Sequence, residues 1–241
     1  MLDLSIEEET VAECVRIPAR EGELEGILAY ASDRDPWARV LLVGPHPLLG
    51  GDMQNNVMIA LEAMLVGTGA ATLRFNYAGV GASDGPPQTD ASRLDNFWQT
   101  SHVDDEPDRW NDLKAAAEFL ESAVNTTTPL AVAGYSFGCS VIARWIENAG
   151  TADAIVCIAP TIGRHEYRGL ADSAIHKLVL ASRNDFATDS ETLTAAVSQW
   201  HGRNRIEMAD LDDHFFRGCE PWLADRIVPF FVEALKGPSH E

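Results

Sequence analysis

Ala131–Gly150, AVAGYSFGCSVIARWIENAG, runs an apolar strand-like segment straight into a helix-like one with no linker between them. The strand reading covers LAVAGY, ending at Tyr135, and the helix reading starts at Phe137 and runs to Ala149. Ser136 stands at the join, with Gly134 two residues before it and Gly138 two after. A corner this tight lifts the serine oxygen out of the sheet and strains its backbone. The flanking positions must then be small to clear the adjoining strand and helix. The new helix also aims unpaired N–H groups at the same point, which favours developing negative charge. The pattern is that of a nucleophile elbow. The competing reading is a glycine-rich helix start with Ser136 as its cap, or an anion site.

Outward from this corner, short apolar runs alternate with helical patterns. Val11–Pro18 and Leu24–Ala31 read as two antiparallel strands joined by the turn AREGE. RVLLVG (Arg39–Gly44) is a buried strand by its continuous apolar character. Asn56–Gly69 is helical, because Val57, Leu61, Met64 and Leu65 recur at spacings of three and four; Gly67 or Gly69 can stop it. AATLRFN is a strand, Trp110–Val124 a helix, and ADAIVCIA and HKLVLASR are strands. Ser190–His201 is a helix, RNRIEMA a strand, and Pro221–Leu235 a closing helix with proline in its first turn. Such alternation from residue 39 onward predicts parallel strands joined by crossover helices, in one sheet covered on both faces. The expectation is a single domain over residues 1–241. Residues 79–107 have no clear periodicity, and a shorter irregular stretch, PTIGRHEYRGLADSAI, follows Ala159.

With 18 lysines and arginines against 37 aspartates and glutamates, the formal charge is −19. That balance argues against nucleic acid, whose phosphates must be neutralised by cations, and against anionic membrane surfaces. Cys14, Cys139, Cys157 and Cys219 lie far apart without a CxxC spacing, so reduced thiols are expected. No apolar run reaches the roughly 18–20 residues that span a bilayer, and the acidic start, MLDLSIEEETVAEC, lacks the features of a leader. A cytoplasmic protein without membrane insertion is the expectation.

A serine hydroxyl is a weak nucleophile without a base, and the base needs an acid to hold its tautomer. Following the chain order serine, acid, histidine, Asp185 lies just past the strand HKLVLASR and His214 lies between the last strand and the last helix. Ser136, Asp185 and His214 are therefore the candidate catalytic triad. Asp189, Asp210, Asp212 and Asp213 remain nearby alternatives for the acid. His46, His102, His165, His176 and His240 fit the order less well. An oxyanion hole requires two N–H groups aimed at the attacked carbonyl oxygen. Phe137, directly after the nucleophile, is one candidate. The other should come from GPHPLLGG after the strand RVLLVG. Pro47 has no N–H, which leaves Leu48, with Leu49 next.

These residues resemble the α/β-hydrolase superfamily. Within it they are similar to small bacterial and plant hydrolases with an HP-x-x-GG loop, an RFN-x-x-GVG-x-S-x-G loop and a G-x-SFG elbow. The matching segments here are HPLLGG (His46–Gly51), RFNYAGVGASDG (Arg74–Gly85), GYSFG (Gly134–Gly138) and DDHFFRG (Asp212–Gly218). The resemblance covers residues 39 to about 235. It implies an α/β-hydrolase fold, with a mostly parallel central sheet of about eight strands and helices on both faces. It also implies a serine hydrolase without cofactor, acting on esters or thioesters of a small-molecule acyl substrate. No metal-ligand spacing such as H-E-x-x-H is present. The chain departs from the family in an insertion at about residues 86–106. Phe97, Trp98 and His102 within it are expected to form part of the acyl or alcohol pocket wall. It also lacks room for a large cap after Ala159. Acyltransferase or peptidase activity on the same triad is a rival within the enzyme class. A non-catalytic binding module on the same fold is the rival outside it.

Overall fold

The computed structural model describes residues 10–86, 95–96, 99–100, 106, 108–125 and 127–236. Phe97, Trp98, His102 and His240 lie outside them. Eight strands form one sheet: β1 (Thr10–Ala19), β2 (Gly22–Ala31), β3 (Arg39–Val43), β4 (Ala71–Phe75), β5 (Leu130–Tyr135), β6 (Ala154–Ile158), β7 (His176–Ser182) and β8 (Asn204–Ala209). Their order across the sheet is β1-β2-β4-β3-β5-β6-β7-β8. The β1–β2 and β2–β4 pairs are antiparallel, and every pair from β4 to β8 is parallel. The parallel, helix-covered sheet is what the alternating pattern predicts, and the eight-stranded α/β-hydrolase architecture is what the resemblance implies.

Alternation along each strand sorts its side chains onto two cores. Leu41 and Val43 of β3, Val132 of β5 and Val179 of β7 face a layer containing Leu113, Leu120, Val141 and Leu193. These four come from α2 (Trp110–Ala123), α3 (Phe137–Glu147) and α5 (Ser190–Val197). Val40 and Leu42, Ala133, and Leu178 and Leu180 face the opposite layer, where Leu61, Leu65, Ile227 and Phe231 pack. Those come from α1 (Asn56–Gly67) and α6 (Glu220–Lys236). Burial on both faces is why the central strands read as unbroken apolar runs.

Two segments differ from their sequence reading. The fifth helix stops at Val197, four residues before His201, because Gln199 and Trp200 bond back three residues, to Ala196 and Val197 at 3.0 Å each. The His201 amide instead donates to the Ala171 carbonyl at 2.7 Å. A tertiary partner thus ends a helix that propensity alone would extend. The irregular stretch after Ala159 holds the short α4 (Arg168–Asp172).

The strand order positions the site. From β3 the chain moves to β4 on one side, and from β5 it steps through β6, β7 and β8 on the other. The carboxyl ends of β3 and β5 therefore border a topological switch point, where diverging loops leave a crevice.

Candidate active site

Ser136 follows the last residue of β5 directly and precedes the first residue of α3. Its φ of 53° and ψ of −116° lie where non-glycine residues rarely sit. Its side chain makes no capping bond to α3, which argues against the helix-cap reading. Both flanking glycines are required by close approach. A Cβ on Gly138 would sit 2.2 Å from the Val43 carbonyl oxygen and 2.7 Å from that of Gly44. A Cβ on Gly134 would meet Ile142 Cδ1 at 2.6 Å and the Cys139 nitrogen at 2.9 Å. The elbow is fastened to β6 by the Ser136 N–H, which donates to the Ile158 carbonyl at 2.8 Å.

The structure brings Ser136, His214 and Asp185 together. Ser136 Oγ lies 3.0 Å from His214 Nε2. His214 Nδ1 lies 2.8 Å from both oxygens of Asp185. Asp185 Oδ1 also accepts the Ala187 N–H at 2.7 Å. Histidine and aspartate are both buried, 5% and 7% exposed, so their interaction is little screened by solvent. An ionised carboxylate only accepts, so Nδ1 carries the imidazole proton and Nε2 is left to accept from the serine hydroxyl. Tyr135 steadies this arrangement by donating its hydroxyl to the His214 carbonyl at 3.1 Å. Burial first, and the nearby Asp185 charge next, push the Tyr135 phenol well above its ordinary pKa, so it stays a donor.

The other aspartates are occupied elsewhere. Asp189 caps α5 through the Thr192 N–H at 2.8 Å. Asp210 pairs with Arg183, Asp212 accepts from Asn184, and Asp213 accepts the Phe215 and Arg217 amides at 3.0 and 3.2 Å.

Phe137 and Leu48 share one cavity of about 610 Å³ with Ser136 and His214. The Phe137 N–H opens α3, where a helix offers no internal acceptor. Leu48 is placed differently from the expectation of an open donor. It lies in a 3₁₀ turn, Pro47–Leu49, and its N–H donates to His46 Nδ1 at 3.1 Å. The Leu49 N–H is closed onto the His46 carbonyl at 3.0 Å. Leu48 therefore meets an oxyanion only by sharing its proton with, or releasing it from, the His46 imidazole.

Order along the chain had set His46 and His165 aside, yet both line the cavity. Their rings contact the Phe137 ring at 4.6 and 5.3 Å between centroids. His165 Nδ1 is 2.8 Å from Thr161 Oγ1. The HP-x-x-GG motif carried a signal for His46; nothing local marked His165. Among the described residues no group of three or more histidines, cysteines or acids could hold a metal ion.

A nucleophile-elbow serine at the switch point of this eight-stranded sheet defines the class of α/β serine hydrolases. Residues 50–218 match the family model described as serine aminopeptidase, S33, and the chain belongs to that family. It is 28% identical over 229 residues to an uncharacterised protein of Rickettsia prowazekii, spanning 91% of this chain and 89% of that one. Among solved structures, an alpha-beta serine hydrolase homologue from Coxiella burnetii superposes with a TM-score of 0.76 at 25% identity, covering 90% of this chain and 96% of that one. A serine hydrolase without a lid from Xanthomonas campestris superposes at 0.77 and 23% identity, covering 94% and 96%. No helix among the described residues is long and apolar enough to cross a membrane.

Proposed function

We propose that the chain is a single-domain serine hydrolase that cleaves a carboxylic ester or thioester of a small molecule through an acyl-enzyme. One observation carries this reading: a serine hydroxyl 3.0 Å from an imidazole that is itself held by a buried carboxylate. In the first step His214 Nε2 takes the Ser136 proton as Oγ bonds to the substrate carbonyl carbon. The carbonyl π pair moves onto oxygen, where the Phe137 amide stabilises it, joined by that of Leu48 once its N–H is shared with or freed from His46 Nδ1. Collapse restores the carbonyl and breaks the bond to the leaving group, which takes the proton from His214. Water then repeats the sequence on the acyl-serine and releases the acid. An oxyanion donor of this kind lowers the barrier by about 3 kcal/mol.

The family description raises a second reading, an aminopeptidase. Such an enzyme must hold the substrate's free ammonium group, which calls for a carboxylate in the pocket. Among the described residues lining the cavity none is acidic, and the charged side chain present is the cation Arg164. That favours an ester or thioester over a peptide with a free amino terminus. The test is a panel of matched small esters, thioesters and aminoacyl amides with the wild type and Ser136→Ala. Ester or thioester turnover that disappears in the variant is the expected result. Turnover confined to aminoacyl amides, or equal in the two proteins, would overturn the reading.

A further inference from the structure

Resting on the hydrolase reading above, we propose that Phe186 and Phe215 form the subsite for the leaving group, and that the enzyme selects esters whose alcohol portion is aromatic or bulky and apolar. Both side chains line the cavity. They are 60% and 38% exposed, an unusual state for adjacent phenylalanines and one that marks a contact surface. Their centroids are 5.9 Å apart and lie 5.0 and 5.5 Å from the His214 ring.

This exposure is built into the loops. The Phe186 loop is held by Ala187 N–H on Asp185, by Arg164 Nε on the Ala187 carbonyl at 3.2 Å, and by the Thr188 hydroxyl on the Pro160 carbonyl at 2.9 Å. The Phe215 backbone is held at both ends. Its N–H reaches Asp213 at 3.0 Å, and its carbonyl accepts from Asn56 Nδ2 at 3.1 Å. The Arg217 guanidinium lies over the Phe215 ring, 4.4 Å from its centroid. Two pinned loops therefore present partly exposed aromatic rings beside the imidazole, with Arg217 over one face of Phe215.

Stereochemistry assigns those faces to the alcohol. When the tetrahedral adduct collapses, the carbon–oxygen bond to the alcohol breaks and its electron pair accepts the proton that Nε2 took from Ser136. That oxygen must lie within hydrogen-bond reach of Nε2, so its substituent lies against whatever flanks the His214 ring. The sheet order separates this side from the other apolar side chains. Leu48 and Leu49 follow β3, on one side of β5, whereas Phe186 and Phe215 follow β7 and β8 on the other. The Leu48 side is left for the acyl chain. An aromatic ring placed on the two phenylalanines gains edge or offset stacking together with burial.

Benzyl acetate and ethyl acetate test the alcohol side, since their alcohols have similar acidity. Ethyl hexanoate against ethyl acetate tests the acyl side. The wild type should favour benzyl over ethyl acetate by at least about tenfold in kcat/KM. Phe186→Ala and Phe215→Ala should each reduce that ratio several-fold, while the hexanoate-to-acetate ratio stays within about twofold. Phe186→Leu, which keeps an apolar side chain there, should recover part of the preference and covers the case of an alanine variant that folds poorly. A benzyl-to-ethyl ratio near one, or substitutions that move the acyl ratio instead, would overturn the subsite. Labelling of Ser136 by a fluorophosphonate separates the two levels: without it the hydrolase reading fails and the subsite with it, whereas labelled enzyme with no alcohol preference refutes the subsite alone.

Discussion

The Tyr135 hydroxyl donates to the main-chain carbonyl of His214 at 3.1 Å, so the residue before the proposed nucleophile holds the backbone of the proposed base. The two rings lie 5.8 Å apart, and the tyrosine is buried. The elbow and the histidine loop, which are 78 residues apart in sequence, are thereby tied by this hydrogen bond, the ring pair and the Ser136–His214 hydrogen bond. Tyr135→Phe keeps the ring and removes the tie. It should cost about 1 kcal/mol of stability and lower kcat three- to tenfold with KM little changed, as read from a thermal melt and steady-state kinetics. A purely structural role would move the melt and leave kcat alone.

Gly138 faces the end of β3 so closely that Gly138→Ala drives a methyl group into the Val43 and Gly44 carbonyls. Backbone is the obstacle, so neither side can yield cheaply. The variant should lose at least about 3 kcal/mol or fail to accumulate as soluble protein. Gly50→Ala is the control. Gly50 has a φ of 75° but open space around its missing Cβ, and the cost should stay near 1 kcal/mol. Equal melting temperatures for the two variants would contradict the close-approach argument.

These glycines mark what could be read directly from sequence. The elbow was legible because its constraints are local: β5, Ser136 and α3 are contiguous, and small residues at plus and minus two leave a visible pattern. Asp185 and His214 could be singled out because strand ends and chain order restrict where such groups can stand. Other features depend on distant segments and left no local trace. The Ala171 carbonyl that captures the His201 amide and the exposed rings of Phe186 and Phe215 beside His214 are of this kind. His46 was set aside by a rule of order, although its contact with Phe137 arises from the packing of the β3 loop against the elbow.

Asp185 and Asp189 are four residues apart and do different work. Asp185→Asn removes the carboxylate that holds the His214 tautomer and should reduce kcat about 10³- to 10⁴-fold. Asp189→Asn keeps a helix-capping side chain, whereas Asp189→Ala removes the bond to Thr192 and should cost about 1 kcal/mol with turnover within twofold of wild type. Kinetics and melting curves on the three variants would distinguish these roles. Activity lost at position 189 and kept at 185 would reassign the acid.

Lys177 supplies a pH-dependent prediction far from the candidate site. Its side chain is buried at the start of β7, and Nζ donates to the carbonyls of Ser173, Ile175 and His201 at 2.8, 2.8 and 3.0 Å. Burial lowers its pKa from 10.5 to about 8. Between those values the unfolded chain binds more protons than the folded one, so this group makes stability rise as pH increases from about 8 to 10.5. The gain is up to about 3 kcal/mol across the window. Lys177→Met lacks the titration. The difference in unfolding free energy between wild type and variant should therefore shift toward the wild type over that window and stay flat below it. A difference independent of pH would show that the ammonium is not strained by burial.

The central claim is that Ser136 acts as a nucleophile because His214 and Asp185 activate it. Its most direct measurement is intact-mass and peptide-mapping analysis after exposure to a fluorophosphonate, using wild type, Ser136→Ala and His214→Ala. One phosphonyl group per chain, mapped to the peptide carrying Ser136, absent from Ser136→Ala and formed at least a hundredfold more slowly in His214→Ala, is the predicted result. An unmodified wild type that remains folded, or a label carried by another residue, would contradict it.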